Sequence, residues 1–239
     1  MPMKSPLEEL LRVEELLNCD LELAWMNKKT NFNRNIPWLK GSQSQLGQES
    51  FVAFALSNKK SGYYLEIGAY HAQILSNTFI LERDFGWKGV GLEIEADRVN
   101  AYNQQRANKA LLIDATKANY ETLLNSIGAP RCIDFLQVDI EPPRNSYLAL
   151  KGALNSSRKF QVVTFEHDLY RKKFRMIPLN IIWKLAAHIK LLLNGYVRVI
   201  SDVSNDWRRQ EDWYIHMDSG GLNFEKLKNI DFRELFFFP

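Results

Sequence analysis

Cysteine is scarce: Cys19 and Cys132 are the two among 239 residues. Two cysteines build no disulfide framework, so a reducing compartment is expected, and with it a cytoplasmic location. Glycine and proline number 12 and 8, too few for a collagen-like or disordered chain. No apolar run reaches the ~18 residues of a membrane span, so no membrane span is expected. Residues 1–18 alternate Leu pairs with Glu pairs and lack a signal-peptide core. A large charge excess is also missing. Lys plus Arg number 31 and Asp plus Glu 28, a formal net charge of +3, and so small a surplus gives no reason to expect nucleic acid as a partner. Nothing in the composition fixes an oligomeric state.

What is present is a chain with 46% hydrophobic residues and 25% charged residues, enough for one domain with a sizeable core. Ser5-Pro6-Leu7-Glu8 reads as a capped helix start, followed by Leu7, Leu10, Leu11 and Leu17 at helical spacing. We expect residues 1–60 to form a helical cap, including a helix over 48–57, and residues 61–239 to form the main unit. From residue 63 the pattern alternates. Strands are expected at 63–67, 90–95, 111–114, 133–140, 160–165, 196–201 and 213–217. Helices are expected at 77–85, 97–108, 118–127, 147–153 and 178–193, the last with Ile182, Leu185, Ile189 and Leu192 facing inward. Such alternation predicts an α/β fold with a seven-stranded, mostly parallel sheet and helices on both faces. Ligands of such folds bind at the strand carboxyl ends.

Acids end five successive strands: Glu66, then Glu93 and Glu95, then Asp114, then Asp139 and Glu141, then Glu166 and Asp168 around His167. Like charges along one edge repel, so a ligand-binding edge explains them better than structure alone, although acids also cap helices that follow strands. The first turn offers Gly68 alone, not the G-x-G-x-x-G that lets backbone approach a pyrophosphate. Glu66 would repel phosphate as well. Glu95 could accept both hydroxyls of a ribose, and Asp114 an adenine amino group. An adenosine-bearing ligand without phosphates fits, namely S-adenosylmethionine.

Five stretches carry a family resemblance. They are Ser44-Gln45-Leu46-Gly47-Gln48-Glu49; Tyr64-Leu65-Glu66-Ile67-Gly68-Ala69 with Ser76-Asn77-Thr78; Gly86-Trp87-Lys88-Gly89-Val90-Gly91 through Glu95, with Arg106; Phe135 to Glu141; and Phe165-Glu166-His167-Asp168 with the later strands. In this order they resemble the FkbM-type family of class I S-adenosylmethionine-dependent methyltransferases, over residues 44–217. Two positions depart from the family pattern: Ala72 stands where a second loop glycine is usual, and Pro142 follows Glu141 where the family has glycine.

The resemblance implies a Rossmann-like methyltransferase sheet and O-methylation of a hydroxyl on a small molecule, sugar, glycan or natural product. Glu66 and Gly68 would meet the amino-acid end of the cofactor, and Ala69 and Asp139 are also expected to bind it. Ser76 and Asn77 would meet its carboxylate at a helix N-terminus, a position where helix capping is an equal alternative. Glu95 is the ribose residue, with Glu93 of the same strand parity able to substitute. Asp114 and Ala115 sit at the adenine. Gln45 and Gln48 read more simply as surface residues near a helix start than as part of the pocket rim. His167 is the candidate base, flanked by Glu166 and Asp168, with Asp139 and Glu166 also catalytic. Alternatively Asp139, Glu141, Asp168 and Glu166 hold Mg²⁺. The basic run Arg171, Lys172, Lys173 and Arg175 is either a solvated loop or a guide for an anionic substrate. The departures at Ala72 and Pro142 motivate a second reading, a non-catalytic S-adenosylmethionine-binding module.

Overall fold

The computed structural model describes residues 39–167, 169, 177–203 and 210–218. In chain order the elements are α1 (Gln48–Ala55), β1 (Tyr63–Ile67), α2 (Phe79–Phe85), β2 (Lys88–Glu93), α3 (Ala96–Gln105), β3 (Lys109–Leu112), α4 (Tyr120–Ser126), β4 (Cys132–Val138), α5 (Pro143–Leu154), β5 (Lys159–Glu166), α6 (Ile177–Leu193), β6 (Tyr196–Val203) and β7 (Glu211–His216). The expected N-terminal cap falls mostly on residues 1–38, and Asp168 with the basic run 171–175 falls on a second stretch. Both lie outside the described residues.

The seven strands form one sheet in the order β3-β2-β1-β4-β5-β7-β6. β1 pairs in parallel with β2 (Leu65 opposite Val90) and with β4 (Leu65 opposite Leu136). β7 alone runs against its neighbours, β5 and β6. The Rossmann-like architecture expected from the alternating pattern is therefore present. Strand order reverses between β1 and β4, and the crevice outside their carboxyl ends is the switch point where α/β sheets bind ligands.

Both faces of the sheet are covered, so its strands are apolar on both sides. Tyr64, Phe135, Val162, Trp213 and Ile215 point to a core shared with α1 and α2, where Phe51 stacks on Trp213 at 4.6 Å between ring centroids. Leu65, Leu136, Val163 and Tyr214 point to the opposite core, shared with α4, α5 and α6. Local signals set the helix ends. Asn119 caps α4, its side-chain oxygen accepting from the Thr122 N–H at 3.1 Å. Gly86, at φ +68°, closes α2, and the Gly86 and Trp87 N–H groups return to the Glu82 and Leu81 carbonyls. α5 begins at Pro143, earlier than the expected 147, because Pro143 suits a first helical turn.

The inward face of α6 differs from expectation. Ile182, Leu185 and Ile189 are about half exposed, whereas Ala187, Leu191 and Leu192 are buried. Ala187 shares a core cluster with Ala149 and Ala153 of α5. Small side chains allow two helices to approach closely, so that packing, and not the larger residues, sets the helix phase. Among the described residues no helix is long and apolar enough to cross a membrane.

Phe51 is fully buried between the helical layer and the sheet. Phe51→Ala is expected to lower unfolding free energy by about 3–5 kcal/mol, measured by urea denaturation, through the cavity it leaves against Trp213.

Candidate functional site

At the switch point the β1 strand turns at Gly68, whose φ is +90°. A Cβ placed there would lie 1.9 Å from the Asp139 carbonyl oxygen. The close approach is held from both sides. The Gly68 and Ala69 N–H groups donate to the Leu92 carbonyl at 2.9 and 3.1 Å, and the Asp139 N–H donates to the Ile67 carbonyl at 2.9 Å. Glycine alone fits, since it tolerates positive φ and brings no side chain. A cavity of about 480 Å³ opens beside this contact, over the carboxyl ends of β1, β2, β4 and β5.

Glu66 and Asn77 line the β1 end of the cavity. Glu66 is 2% exposed, and its Oε2 accepts from Thr78 Oγ1 at 2.9 Å and from the Tyr102 hydroxyl at 3.4 Å. Burial pushes its carboxyl up to about 7, against the opposing pull of Arg106. Asn77 is buried, and its Oδ1 has no hydrogen-bond partner, a state that folded proteins rarely leave unsatisfied. Ser76 does not line the cavity. Its hydroxyl instead accepts from Arg106 Nη1 at 3.2 Å and from the Thr78 N–H at 3.3 Å.

β2 ends two residues earlier than the sequence suggested, at Glu93. Glu93 is 7% exposed and its carboxylate is strapped by three backbone N–H groups: Tyr70 on Oε2, and Ile94 and Glu95 on Oε1, at 2.7–3.0 Å. Glu95 also lines the cavity, but it occupies the N-cap of α3 and pairs with Arg98 at 3.1 Å, with its side chain 56% exposed. The same two-residue displacement affects β3. Asp114 lies past the strand in a local turn, accepting from Thr116 and pairing with Lys117 at 2.8 Å. Lys117 and Thr116 together hold its carboxyl at about 2. Ala115 packs into a core. Neither Asp114 nor Ala115 lines the cavity.

Asp139, Glu141 and Glu166 line the far wall, at the ends of β4 and β5. His167 does not. Successive strand residues point to opposite sides. Glu166 takes the cavity side, and the His167 ring is fully buried on the other. Its Nε2 lies 3.5 Å from Asp212 Oδ1 and 3.6 Å from Asp202 Oδ1. Lys184 Nζ already bridges those carboxylates, at 2.6 Å from Asp202 and 3.3 Å from Asp212. Burial alone would raise Asp212, but His167, Lys184 and Arg198 outweigh it and hold the carboxyl far below its usual range. Among the described residues this His167–Asp202–Asp212 group has metal-ligand spacing, and the Lys184 ammonium supplies positive charge there.

Gln45 and Gln48, read first as surface residues, line the cavity, and Gln48 is buried. Gln48 Nε2 donates to Glu211 Oε1 at 2.7 Å, and Gln45 Nε2 to Gln210 Oε1 at 3.2 Å. The segment before β1 is thereby tied to the start of β7. In the sequence Glu211 belongs with Asp212 and Trp213 to a later strand of the family pattern, with no site role expected for it. Burial, and next the charge of Asp139, push its carboxyl up to about 8.

Comparison with solved structures agrees with the fold. A "putative rRNA-methylase" from Clostridium thermocellum aligns over 74% of this chain and 98% of its own, with a TM-score of 0.53 and 9% identity. The chain has a class I methyltransferase fold. Weaker likenesses include a "putative O-methyltransferase" from Klebsiella pneumoniae (12% identity, 90% of this chain and 92% of that one, TM-score 0.48). Another is a "putative RNA methyltransferase" from Pyrococcus horikoshii (15% identity, 91% and 100%, TM-score 0.41). No protein-family model matches the chain, and no curated protein matches it.

Glu66 and Glu211 both have carboxyls raised above an unfolded value of about 4.3. The stability linked to them is fully present below that unfolded value and is lost as pH rises through about 7 and then about 8. The urea midpoint should therefore fall across this range, and Glu211→Gln should flatten the upper part of the fall. An unchanged pH profile in that variant would count against a buried, proton-holding Glu211.

Proposed function

We propose that this chain is an S-adenosylmethionine-dependent methyltransferase acting on a hydroxyl of a small molecule, sugar, glycan or natural product, in the manner of the FkbM-type family it resembles. One observation carries the cofactor reading. The cavity at the switch point is bounded by a single glycine held against the β4 backbone and by buried acids at the ends of β1 and β2. A pyrophosphate would meet carboxylates there. A ligand with an ammonium and a ribose would meet acceptors.

The residues present fit that cofactor. Glu66 and the unpartnered Asn77 Oδ1 suit its ammonium. Glu93, pinned at the strand end, is better placed for ribose hydroxyls than Glu95, which is drawn to Arg98. Asp114 and Ala115 carry no role in this reading, and Ser76 acts through Arg106. When bound, the cofactor supplies a methyl group on a positively charged sulfur. The chain's own task is to hold the acceptor hydroxyl in line and to take its proton. Asp139 and Glu166 on the cavity wall are the carboxylates that can accept it, replacing the buried His167 as candidate base. Asp139, Glu141 and Glu166 line the cavity, but the fourth expected Mg²⁺ ligand, Asp168, lies outside the described residues, and no step is assigned to a metal.

Calorimetry with S-adenosylhomocysteine tests the reading, with NAD as control. Binding in the micromolar range, about −8 kcal/mol, should be weakened at least tenfold by Glu93→Ala and much less by Glu95→Ala. Binding without transfer to any screened hydroxyl acceptor would favour the non-catalytic module. Preference for NAD would contradict the cofactor assignment.

A further inference from the structure

Arg106 follows the last turn of α3, and its side chain is 1% exposed. Its Nε donates to Glu82 Oε2 at 2.8 Å. Its Nη1 donates to the Ala72 carbonyl at 2.8 Å and to Ser76 Oγ at 3.2 Å. Its Nη2 reaches the Tyr64 hydroxyl at 3.2 Å, Thr78 Oγ1 at 3.1 Å and the Thr78 carbonyl at 3.3 Å. The guanidinium thus grips residues 72–78 from behind. The front of the same loop faces the cavity through Leu75 and Asn77, and Tyr70, two residues before the loop, lines the cavity as well. Two of these have positive φ, Tyr70 at 43° and Leu75 at 60°, conformations that a non-glycine residue keeps only when its surroundings enforce them.

A second chain of contacts runs through Thr78. Its hydroxyl accepts from Arg106 Nη2 and donates to Glu66 Oε2 at 2.9 Å. We infer that Arg106 is a positioning residue for the cofactor: it fixes the 72–78 loop and, through the Thr78 hydroxyl, orients Glu66 and favours its anionic form toward a ligand ammonium. This rests on the cofactor reading above.

The surroundings of Glu66 leave that task to Arg106. Tyr102 approaches from α3, Tyr64 from β1 and Glu49 from α1. Glu82 stands behind Arg106 on α2, and Thr78 and the Asn77 backbone sit ahead of α2. Glu66 lies opposite Gly91 of β2 and Gln137 of β4, which carry no charge. Burial favours the neutral acid, and of these groups Arg106 is the cation that opposes it. Lysine would keep the charge but not the fork. An ammonium has three donors on one atom, whereas the guanidinium spreads five over a plane, here directed at three separate segments.

The test measures S-adenosylhomocysteine binding by calorimetry from about pH 6 to 8.5, with melting curves in the absence of ligand, for wild type, Thr78→Val and Arg106→Lys. Wild-type affinity should rise as pH passes about 7, where Glu66 ionises. Thr78→Val keeps the Arg106–Glu82 pair but breaks the relay. It should weaken binding about tenfold near neutrality, the size of one charged hydrogen bond, and displace the rise to higher pH. Arg106→Lys should weaken binding comparably while leaving the pH of the rise near wild type, because the charge is retained. If Arg106→Lys fails to fold, Thr78→Val carries the test. A folded Thr78→Val protein with wild-type affinity and pH profile would overturn the inference and leave the cofactor reading intact. No binding by wild type would overturn both.

Discussion

The carbonyl of Asp139 stands where a side chain on residue 68 would begin. Much of the site depends on that contact. It brings the ends of β1 and β4 together at the point where strand order reverses, and it leaves the cavity beside the turn and not across it. The constraint is steric, and a flexible neighbour cannot relieve it, because the opposing atom belongs to the backbone of a central strand. A glycine here is required by the β4 backbone and not only by the left-handed turn.

Around this contact the chain buries several carboxyls, satisfied in more than one way. Glu93 is held by backbone N–H groups. Glu66 leans on a hydroxyl relay to Arg106. Glu211 is bonded by Gln48 and the Trp213 indole, and burial raises its carboxyl. Glu49 accepts from the Ile80 and Gln43 N–H groups and from Ser42, fastening the segment before α1 to the start of α2. Burying acids is costly without partners. The arrangement makes sense if the cavity has to offer acceptors to a positively charged ligand while its walls stay rigid.

Much of this was legible in the sequence. The apolar run before Gly68 and the alternation that follows gave the sheet and its carboxyl edge, because strands buried on both faces leave few other readings. The phase of α6 was not legible. Residues 181–193 are apolar on nearly every side, so spacing alone allows several inward faces. β2 and β3 both end two residues before their expected ends, which puts Glu95 and Asp114 beyond the strands they were expected to close. A shift of two preserves strand parity, so pattern could not distinguish Glu93 from Glu95. His167 was favoured for its chemistry, but it follows Glu166 directly, and adjacent strand residues face opposite ways. Glu211 meets Gln48 across 163 residues, a pairing only the folded chain reveals.

The most direct measurement is a crystal structure of the protein with S-adenosylhomocysteine. The account predicts density in the cavity beside Gly68, with ribose hydroxyls on Glu93 and the amino-acid end at Glu66 and Asn77. A ligand bound elsewhere, or lying with its ribose on Glu95 and away from Glu93, would contradict it.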